Sequence, residues 1–287
     1  MIGFEYYAPK VLKEALSILS SSGDKAKVLA GGTDLIVQMK IGKHSPCIIV
    51  DAKSLPELNH LDCDDHILHI GAAVPLNKVV EFPPVRQRFV ILQQGCSLIG
   101  SRQLRNRATV GGNICNAAPS ADSAPPLLCL GATVCIARPG SVLKVPLESF
   151  FLGPGQTIIK DDELLMEVEV PVPGTQWTGC YLRHTPRHEM DISVAGVAVL
   201  LKLDKKENRC LEARIALGSV APTPMRVPDA EAALTGQIVT SSLIKKAAEV
   251  AAKAARPISD VRASAGYRIE LVKVLSMRAI QACLKTE

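Results

Sequence analysis

The sequence predicts an α+β protein in two parts, and three observations carry the prediction. The chain has 287 residues, 47% apolar and 21% charged, enough to bury a substantial core without a disulfide or metal staple. In the second half, apolar runs at 192–203 and 210–219 precede helical patterns at roughly 241–255 and 265–285, the strands-then-helices order of an α+β domain. Between the halves, Pro171-Val-Pro-Gly174 interrupts the pattern. Such a break marks a boundary, so the expected domains are 1–174 and 175–287.

In the first part, apolar residues at 11, 12, 15, 16, 18 and 19 predict a helix over Lys10–Leu19 that ends near Gly23. Ala26–Ala30 reads as a short strand. It runs into Gly31-Gly32, and Asp34 opens the apolar segment LIVQMKIG, so this is a strand–glycine turn–helix unit. Cys47–Asp51 and Ile67–Gly71 are further short strands, and Arg88–Leu98 is helical. Gly100–Pro126 is the least globular stretch by pattern. It is rich in Gly, Asn, Ser and Pro and carries Arg102, Arg105 and Arg107. Loops of that length inside a domain are uncommon and often functional. Leu127–Leu130 follows as a buried helical turn, then β-rich segments at 132–138, 142–147 and 164–170.

Composition excludes several functions. The net charge is +5, from 33 basic and 28 acidic residues. With five Phe, four Tyr and one Trp, none interleaving a basic run, the chain lacks the stacking platform that nucleic-acid binding uses. The longest apolar stretch, Ile192–Leu201, is too short to span a bilayer, which takes about 20 residues. MIGFEYYAPK has no secretory pattern. The nine cysteines are odd in number, scattered and without a CxxC. They read as reduced thiols of a cytoplasmic protein, with neither zinc nor iron–sulfur ligation. The six histidines form no HExxH. His184 and His188 have i, i+4 spacing, but Pro186 between them argues against a helix, so no metal is expected there. No GxSxG-type nucleophile context occurs.

Four motifs could carry chemistry. Ala30-Gly31-Gly32-Thr33-Asp34 follows a strand. Adjacent glycines let backbone N–H groups converge, and a following helix start adds positive potential, a combination that holds phosphate. A ligand-free tight turn is the other reading, and the pattern is not GxGxxG. Thr109-Val110-Gly111-Gly112-Asn113 offers a second glycine pair with a hydroxyl and an amide, or else a hairpin turn. Two such sites together could grip the two phosphoryl groups of a diphosphate. Asp122, in Ser120-Ala-Asp122-Ser123, is either a helix N-cap or a carboxylate for ribose hydroxyls. Arg102, Arg105 and Arg107 form a phosphate or partner site, or a solvated face.

Taken in order, FEYYAPKVLKEALSIL, AGGTDL at 30–35 and GSRQLRNRATVGGNICNAAPSADSAPPLL at 100–128 closely resemble the FAD-binding medium subunit of the molybdenum hydroxylases. This is the family of aerobic carbon monoxide dehydrogenase and bacterial xanthine dehydrogenase. Pro257-Ile-Ser-Asp260-Val-Arg262-Ala-Ser264-Ala-Gly-Tyr267-Arg268 resembles its C-terminal domain. The resemblance implies a PCMH-type FAD-binding domain of two α+β subdomains and a C-terminal domain with a three-stranded sheet and helices. It implies that Lys27, Val28, Leu29, Ala30, Gly31, Gly32, Thr33 and Asp34, with Thr109, Val110, Gly111, Gly112 and Asn113, wrap the FAD pyrophosphate. Ser101 would lie at the flavin-side phosphate, Asp122 at the adenosine ribose, Leu165 against the isoalloxazine, and Arg183, where relatives often have Lys, near the flavin ring. No catalytic side chain is expected. The implied partners are a small subunit with 2Fe-2S clusters and a large subunit with the molybdenum cofactor, in a dimer of heterotrimers. Electrons would pass through FAD to NAD, a quinone or oxygen. No cysteine group for a further cluster occurs in this chain.

Two other readings stay open at this stage: a stand-alone PCMH-type flavin oxidoreductase, and a non-catalytic nucleotide-binding or assembly module. Substrate turnover by the isolated chain would favour the first, and the two glycine pairs alone would suit the second.

Overall fold

Parallel strands need crossovers, and the first unit of the chain supplies them with two helices. In the structure, a computed structural model that describes residues 3–187, 190–204 and 206–285, strands β1 (Glu5–Tyr7), β2 (Ala26–Leu29) and β3 (Ile48–Asp51) pair in the order β1-β3-β2, all parallel. Helix α1 (Leu12–Ser22) buries Ala15, Leu16 and Leu19, one stripe at helical spacing. Gly23, at φ 55°, ends it by donating its N–H to the Leu19 carbonyl, a conformation glycine adopts without a Cβ penalty. Helix α2 (Leu35–Lys40) starts directly after the Gly31-Gly32 turn.

A second, antiparallel sheet contains β4 (Leu61–Cys63), β5 (Ile67–Gly71), β6 (Thr133–Arg138), β7 (Ser141–Pro146) and β10 (Leu164–Pro171), in the order β4-β5-β10-β6-β7. Leu68, Ile70, Val134, Ile136, Val168 and Val170 belong to the core. The residues alternating with them, among them His69, Cys135, Glu167 and Glu169, line the other face, as a period of two requires. A bulge between Leu165 and Glu167 shifts the register of β10. The hairpin β8 (Phe151–Gly153) and β9 (Gln156–Thr157) stands apart from this sheet.

Six helices lie between β5 and β6: α3 (Leu76–Glu81), α4 (Pro83–Arg88), α5 (Val90–Ser97), α6 (Arg102–Arg105), α7 (Val110–Cys115) and α8 (Ala124–Leu130). The stretch 100–126, expected as irregular, therefore holds two short helices and the start of a third. Side-chain caps make them: Ser101 Oγ accepts from Leu104 N at 3.2 Å, and Thr109 Oγ1 accepts from Gly112 N at 2.9 Å. Asn77 clasps the stretch from α3, donating to the Arg102 carbonyl at 2.9 Å and to Asn106 Oδ1 at 2.5 Å. The arginine cluster divides. Arg105 donates to the Ile99 carbonyl and to Asn77, while Arg102 pairs with Glu81 at the surface.

The last sheet has four strands, not the expected three: β11 (Trp177–His184), β12 (Ala195–Asp204), β13 (Arg209–Gly218) and β14 (Met225–Arg226). β14 is two residues long and pairs only with Ala216 and Leu217. Prolines at 222, 224 and 228 bracket it, which hides it from pattern reading. Helices α9 (Pro228–Leu234), α10 (Ser241–Ala254) and α11 (Ala265–Lys285) follow. Val197, Val199 and Leu201 of β12 pack with these helices, whereas Ala198 and Leu200 join the core of the first half. Burial on both faces explains why this segment is the longest apolar run of the chain. Arg268 of α11 bonds the Val194 and Ser219 carbonyls and Asp260. His184 packs edge-on against Tyr267, and His188 lies outside the described residues.

Candidate functional site

The two glycine segments meet. A Cβ on Gly31 would lie 2.1 Å from the Arg107 carbonyl oxygen and 2.8 Å from the Ala108 Cα. The turn after β2 thus packs backbone to backbone against the residues just before Thr109, which only glycine allows. Gly32, at φ 75°, completes that turn. Gly111 sits as tightly on Ala72, where a Cβ would come within 2.5 Å of the carbonyl oxygen. Gly112 differs: a Cβ there would meet only Thr109 Oγ1 at 3.0 Å and Ala30 Cβ at 4.0 Å. It faces open space across from Ala30. The second pair is not a bend, because Gly111 and Gly112 lie in the first turn of α7. Gln38 Nε2 of α2 donates to Asn116 Oδ1 at 3.0 Å, just past α7, and ties the two helices together.

Between these segments runs a cleft of about 630 Å³, in the range of small-molecule sites. Lys27, Val28, Ala30, Gly31, Gly32, Thr33 and Asp34 form one wall, and Thr109, Gly111, Gly112 and Asn113 another. Leu164 and Leu165 of β10 and the hairpin residues Gly155, Gln156 and Thr157 close the third. Several first-turn amides are already engaged: Ile36 N donates to the Gly32 carbonyl, Gly112 N to Thr109 Oγ1 and Asn113 N to the Thr109 carbonyl. Lys27, Lys43 and His44 stand at the same cleft. Burial, then the positive charges of Lys27 and Lys43, push the His44 imidazole below its ordinary value. Lys27 and Lys43 give this rim a positive charge suited to an anion. Burial raises the Asp34 carboxyl, opposed by a hydrogen bond from Thr33.

Of the residues singled out from sequence, Leu29, Val110, Ser101, Asp122 and Arg183 do not line the cleft. Val110 is fully buried, Leu29 lies beside Gly32, and Ser101 caps α6. Asp122 and Arg183 contact each other: the guanidinium Nη1 donates to Asp122 Oδ2, and Tyr181 Oη donates to Oδ1 at 2.6 Å. Both charged side chains are nearly sealed from solvent, at 7% and 5% exposure. Burial raises the Asp122 carboxyl, opposed by Arg183 and Tyr181. Burial and the Asp122 charge push the Tyr181 phenol well up. Ser123, not Asp122, occupies the N-cap position of α8, and its hydroxyl donates to Asn113 Oδ1 at 2.6 Å instead of capping. The Asp122–Arg183 pair therefore sits behind Asn113, at the junction of the two halves. The resemblance sets Asp122 at the ribose and Arg183 near the flavin ring; here the two side chains hold each other.

Sequence reasoning missed Gln38, Lys43, His44, Asn116 and the hairpin. The basic pair Lys43-His44 follows α2 by three residues and was a readable signal. The hairpin was not, since nothing local ties it to the glycine pairs.

The site fits a dinucleotide. One glycine pair lets two backbones touch, Gly112 leaves room where a side chain would intrude, and the rim is cationic. No described helix is long and apolar enough to cross a membrane. Residues 2–173 match the family described as the FAD binding domain in molybdopterin dehydrogenase. Residues 181–283 match the CO dehydrogenase flavoprotein C-terminal domain. The chain is 33% identical to the carbon monoxide dehydrogenase medium chain of Hydrogenophaga pseudoflava, over 97% of this chain and 96% of that one. It is 33% identical to the xanthine dehydrogenase FAD-binding subunit of Escherichia coli O157:H7, over 96% and 94%. Among solved structures, carbon monoxide dehydrogenase from Hydrogenophaga pseudoflava superposes with a TM-score of 0.95 at 32% identity, covering 99% of this chain and 98% of that one. Quinoline 2-oxidoreductase from Pseudomonas putida 86 does so at 0.93 and 29% identity, over 99% and 98%.

Proposed function

The chain belongs to the family of FAD-binding subunits of the molybdenum hydroxylases, and from that premise we propose that it binds FAD in the cleft between its two glycine segments and works as the electron-transfer subunit of a multi-subunit oxidoreductase. The observation that carries the seating is the contact of Gly31 with the Arg107–Ala108 backbone beside a cationic rim. In this seating Gly31–Asp34 and Thr109–Asn113 hold the diphosphate through backbone amides and short polar side chains. Lys27, Lys43 and His44 offset its charge. Leu165, 3% exposed, packs against the ring system. Asp122 and Arg183 act as one unit behind Asn113 and reach FAD only if their ion pair opens. Ser101 caps α6.

When bound, FAD would supply the redox chemistry, able to take electrons singly and give them up in pairs. The protein's part is to bind, orient and screen. The partners in this reading are a small subunit with 2Fe-2S clusters and a large subunit with the molybdenum cofactor, arranged as a dimer of heterotrimers. The final acceptor is NAD, a quinone or oxygen. We place the complex in the cytoplasm, on the strength of nine free cysteines.

Native purification tests the reading. It expects a flavin absorbance spectrum with one FAD per chain and two co-purifying subunits, one with iron and one with molybdenum. A chain that purifies alone, turns over a substrate and needs no partner would establish the stand-alone oxidoreductase instead.

A further inference from the structure

The polar face of the second sheet carries a cluster that the FAD cleft does not use. Its order follows from strand register. Glu167 of β10 lies opposite Gly71 of β5 on one side and Cys135 of β6 on the other. Gly71 has no side chain, and a Cβ there would come within 2.4 Å of the Leu58 carbonyl oxygen and 2.9 Å of that of His60. Glycine thus lets the segment ahead of β4 lie down on the sheet, and the Gly71 amide fixes it by donating to the His60 carbonyl at 2.9 Å. His60 is brought to Glu167 across a strand that would otherwise separate them. His60 Nε2 lies 2.8 Å and His69 Nδ1 3.1 Å from the same carboxylate oxygen, Glu167 Oε2.

We propose that His60, His69 and Glu167 form a binding site for one divalent transition-metal ion of the zinc class, with a fourth position open to water. The three ligand atoms all lie within 4.8 Å of one another. Ligands of a tetrahedral ion with bonds of about 2.0–2.1 Å stand roughly 3.3 Å apart, so the two His–Glu167 separations of 2.8 and 3.1 Å need to open by only a few tenths of an ångström. Two imidazoles and a carboxylate suit Zn²⁺ over Mg²⁺ or Ca²⁺, which take all-oxygen sites. Side-chain exposures of 37%, 26% and 15% for His60, His69 and Glu167 leave an entry path and room for the water. Two further groups surround the site without being assigned to it. Glu169 is held by Lys144 at 2.6 Å. Cys135, opposite Glu167 on β6, is buried. No sequence motif announces the site because its ligands stand 9 and 98 positions apart (60 to 69, 69 to 167).

The test uses the full-length, FAD-loaded chain and Zn²⁺ as the probe. Calorimetric titration is expected to show one saturable Zn²⁺ equivalent. His60→Gln, His69→Gln and Glu167→Gln should each weaken it about tenfold or more, while Cys135→Ser and His66→Gln should not. Flavin absorbance and the unfolding midpoint without metal report whether each variant is folded. Independently, Co²⁺ added to the unmutated chain should give d–d bands in the difference spectrum without a thiolate charge-transfer band. Absence of a stoichiometric Zn²⁺ site, persistence of binding in all three ligand variants, or a thiolate band would each overturn the assignment.

Discussion

Replacing Gly112 by alanine separates the fold from the cofactor site, because the two make opposite demands on that position. Gly112 is helical and has no positive φ, so alanine gains up to about 1 kcal/mol of helix propensity. The new Cβ would stand 3.0 Å from Thr109 Oγ1, a tight approach that offsets part of the gain. The apo chain should therefore change in stability by less than about 1 kcal/mol. The same methyl group projects into the gap opposite Ala30, within the cleft proposed for the diphosphate. Lengthening or losing one charge-assisted hydrogen bond costs about 1.5–3 kcal/mol, or roughly ten- to 150-fold in Kd. Titrating FAD into the apo chain, followed by flavin fluorescence, measures the affinity, and thermal unfolding of the apo form measures the stability. Gly31→Ala is the contrasting case. Its Cβ meets the Arg107 carbonyl at 2.1 Å, so the two segments must separate. Overpacking of that kind costs about 1–3 kcal/mol, and stability and FAD affinity should fall together. A Gly112→Ala chain that keeps both its apo stability and its unmutated FAD affinity would refute the seating of FAD between these segments.

Three further outcomes follow from the same geometry. The His44 imidazole is held low by burial and by Lys27 and Lys43, and a bound diphosphate would favour its protonated form, so FAD binding should take up protons and weaken as pH rises through the imidazole range. Calorimetry in two buffers of different ionisation enthalpy reads this, and the buffer dependence should vanish in His44→Gln. Asp122→Ala leaves the Arg183 guanidinium buried without its counter-charge, which should cost about 3–5 kcal/mol in denaturant unfolding, and Asp122→Ala with Arg183→Met should recover much of it. At Asp51, burial alone would raise the carboxyl, but bonds from the Lys53 ammonium, the Tyr6 hydroxyl and the Lys53 amide outweigh it and hold the group low. Its stabilising contribution is complete above the unfolded value of about 3.9 and is lost as pH falls through the lower folded value; the stability advantage over Asp51→Asn should be constant near neutrality and shrink below about pH 4.

What could be read in the sequence was what local chemistry decides. The stripe of Ala15, Leu16 and Leu19 with Gly23 behind it specifies α1 without help from elsewhere. The β2–glycine–α2 unit is likewise self-contained, and α11 occupies the span its periodicity predicts. The stretch 100–126 was misread because glycine and asparagine lower helix propensity while the forces that make α6 and α7 helical are not in the pattern. They are two side-chain caps and the grip of Asn77 from 25 to 29 residues away. Chain order shows two glycine pairs but not that Gly31 touches Arg107. The same limit explains Asp122 and Arg183, 61 positions apart and in contact. Read one at a time, each suited a different end of the cofactor, and only their contact makes them a single unit.

That unit also indicates what the second half of the molecule does for the first. β11 and β13 lie directly on the helices of the FAD-binding half: a Cβ on Gly179 would come within 2.3 Å of Ile91, and one on Gly218 within 2.9 Å of Pro125. Polar bonds lock the joint. Gln94 Oε1 accepts from Tyr181 N at 2.8 Å, and the Cys129 carbonyl accepts from Arg214 Nη1 at 3.2 Å. From this joint a continuous path of bonds runs inward, from Tyr181 and Arg183 to Asp122, and from the adjoining Ser123 to Asn113 at the cleft wall. The C-terminal sheet thereby fixes the position of α7, whose first turn forms one wall of the cleft. Interiors packed this closely transmit strain, so the C-terminal sheet and this wall of the cleft form one connected frame.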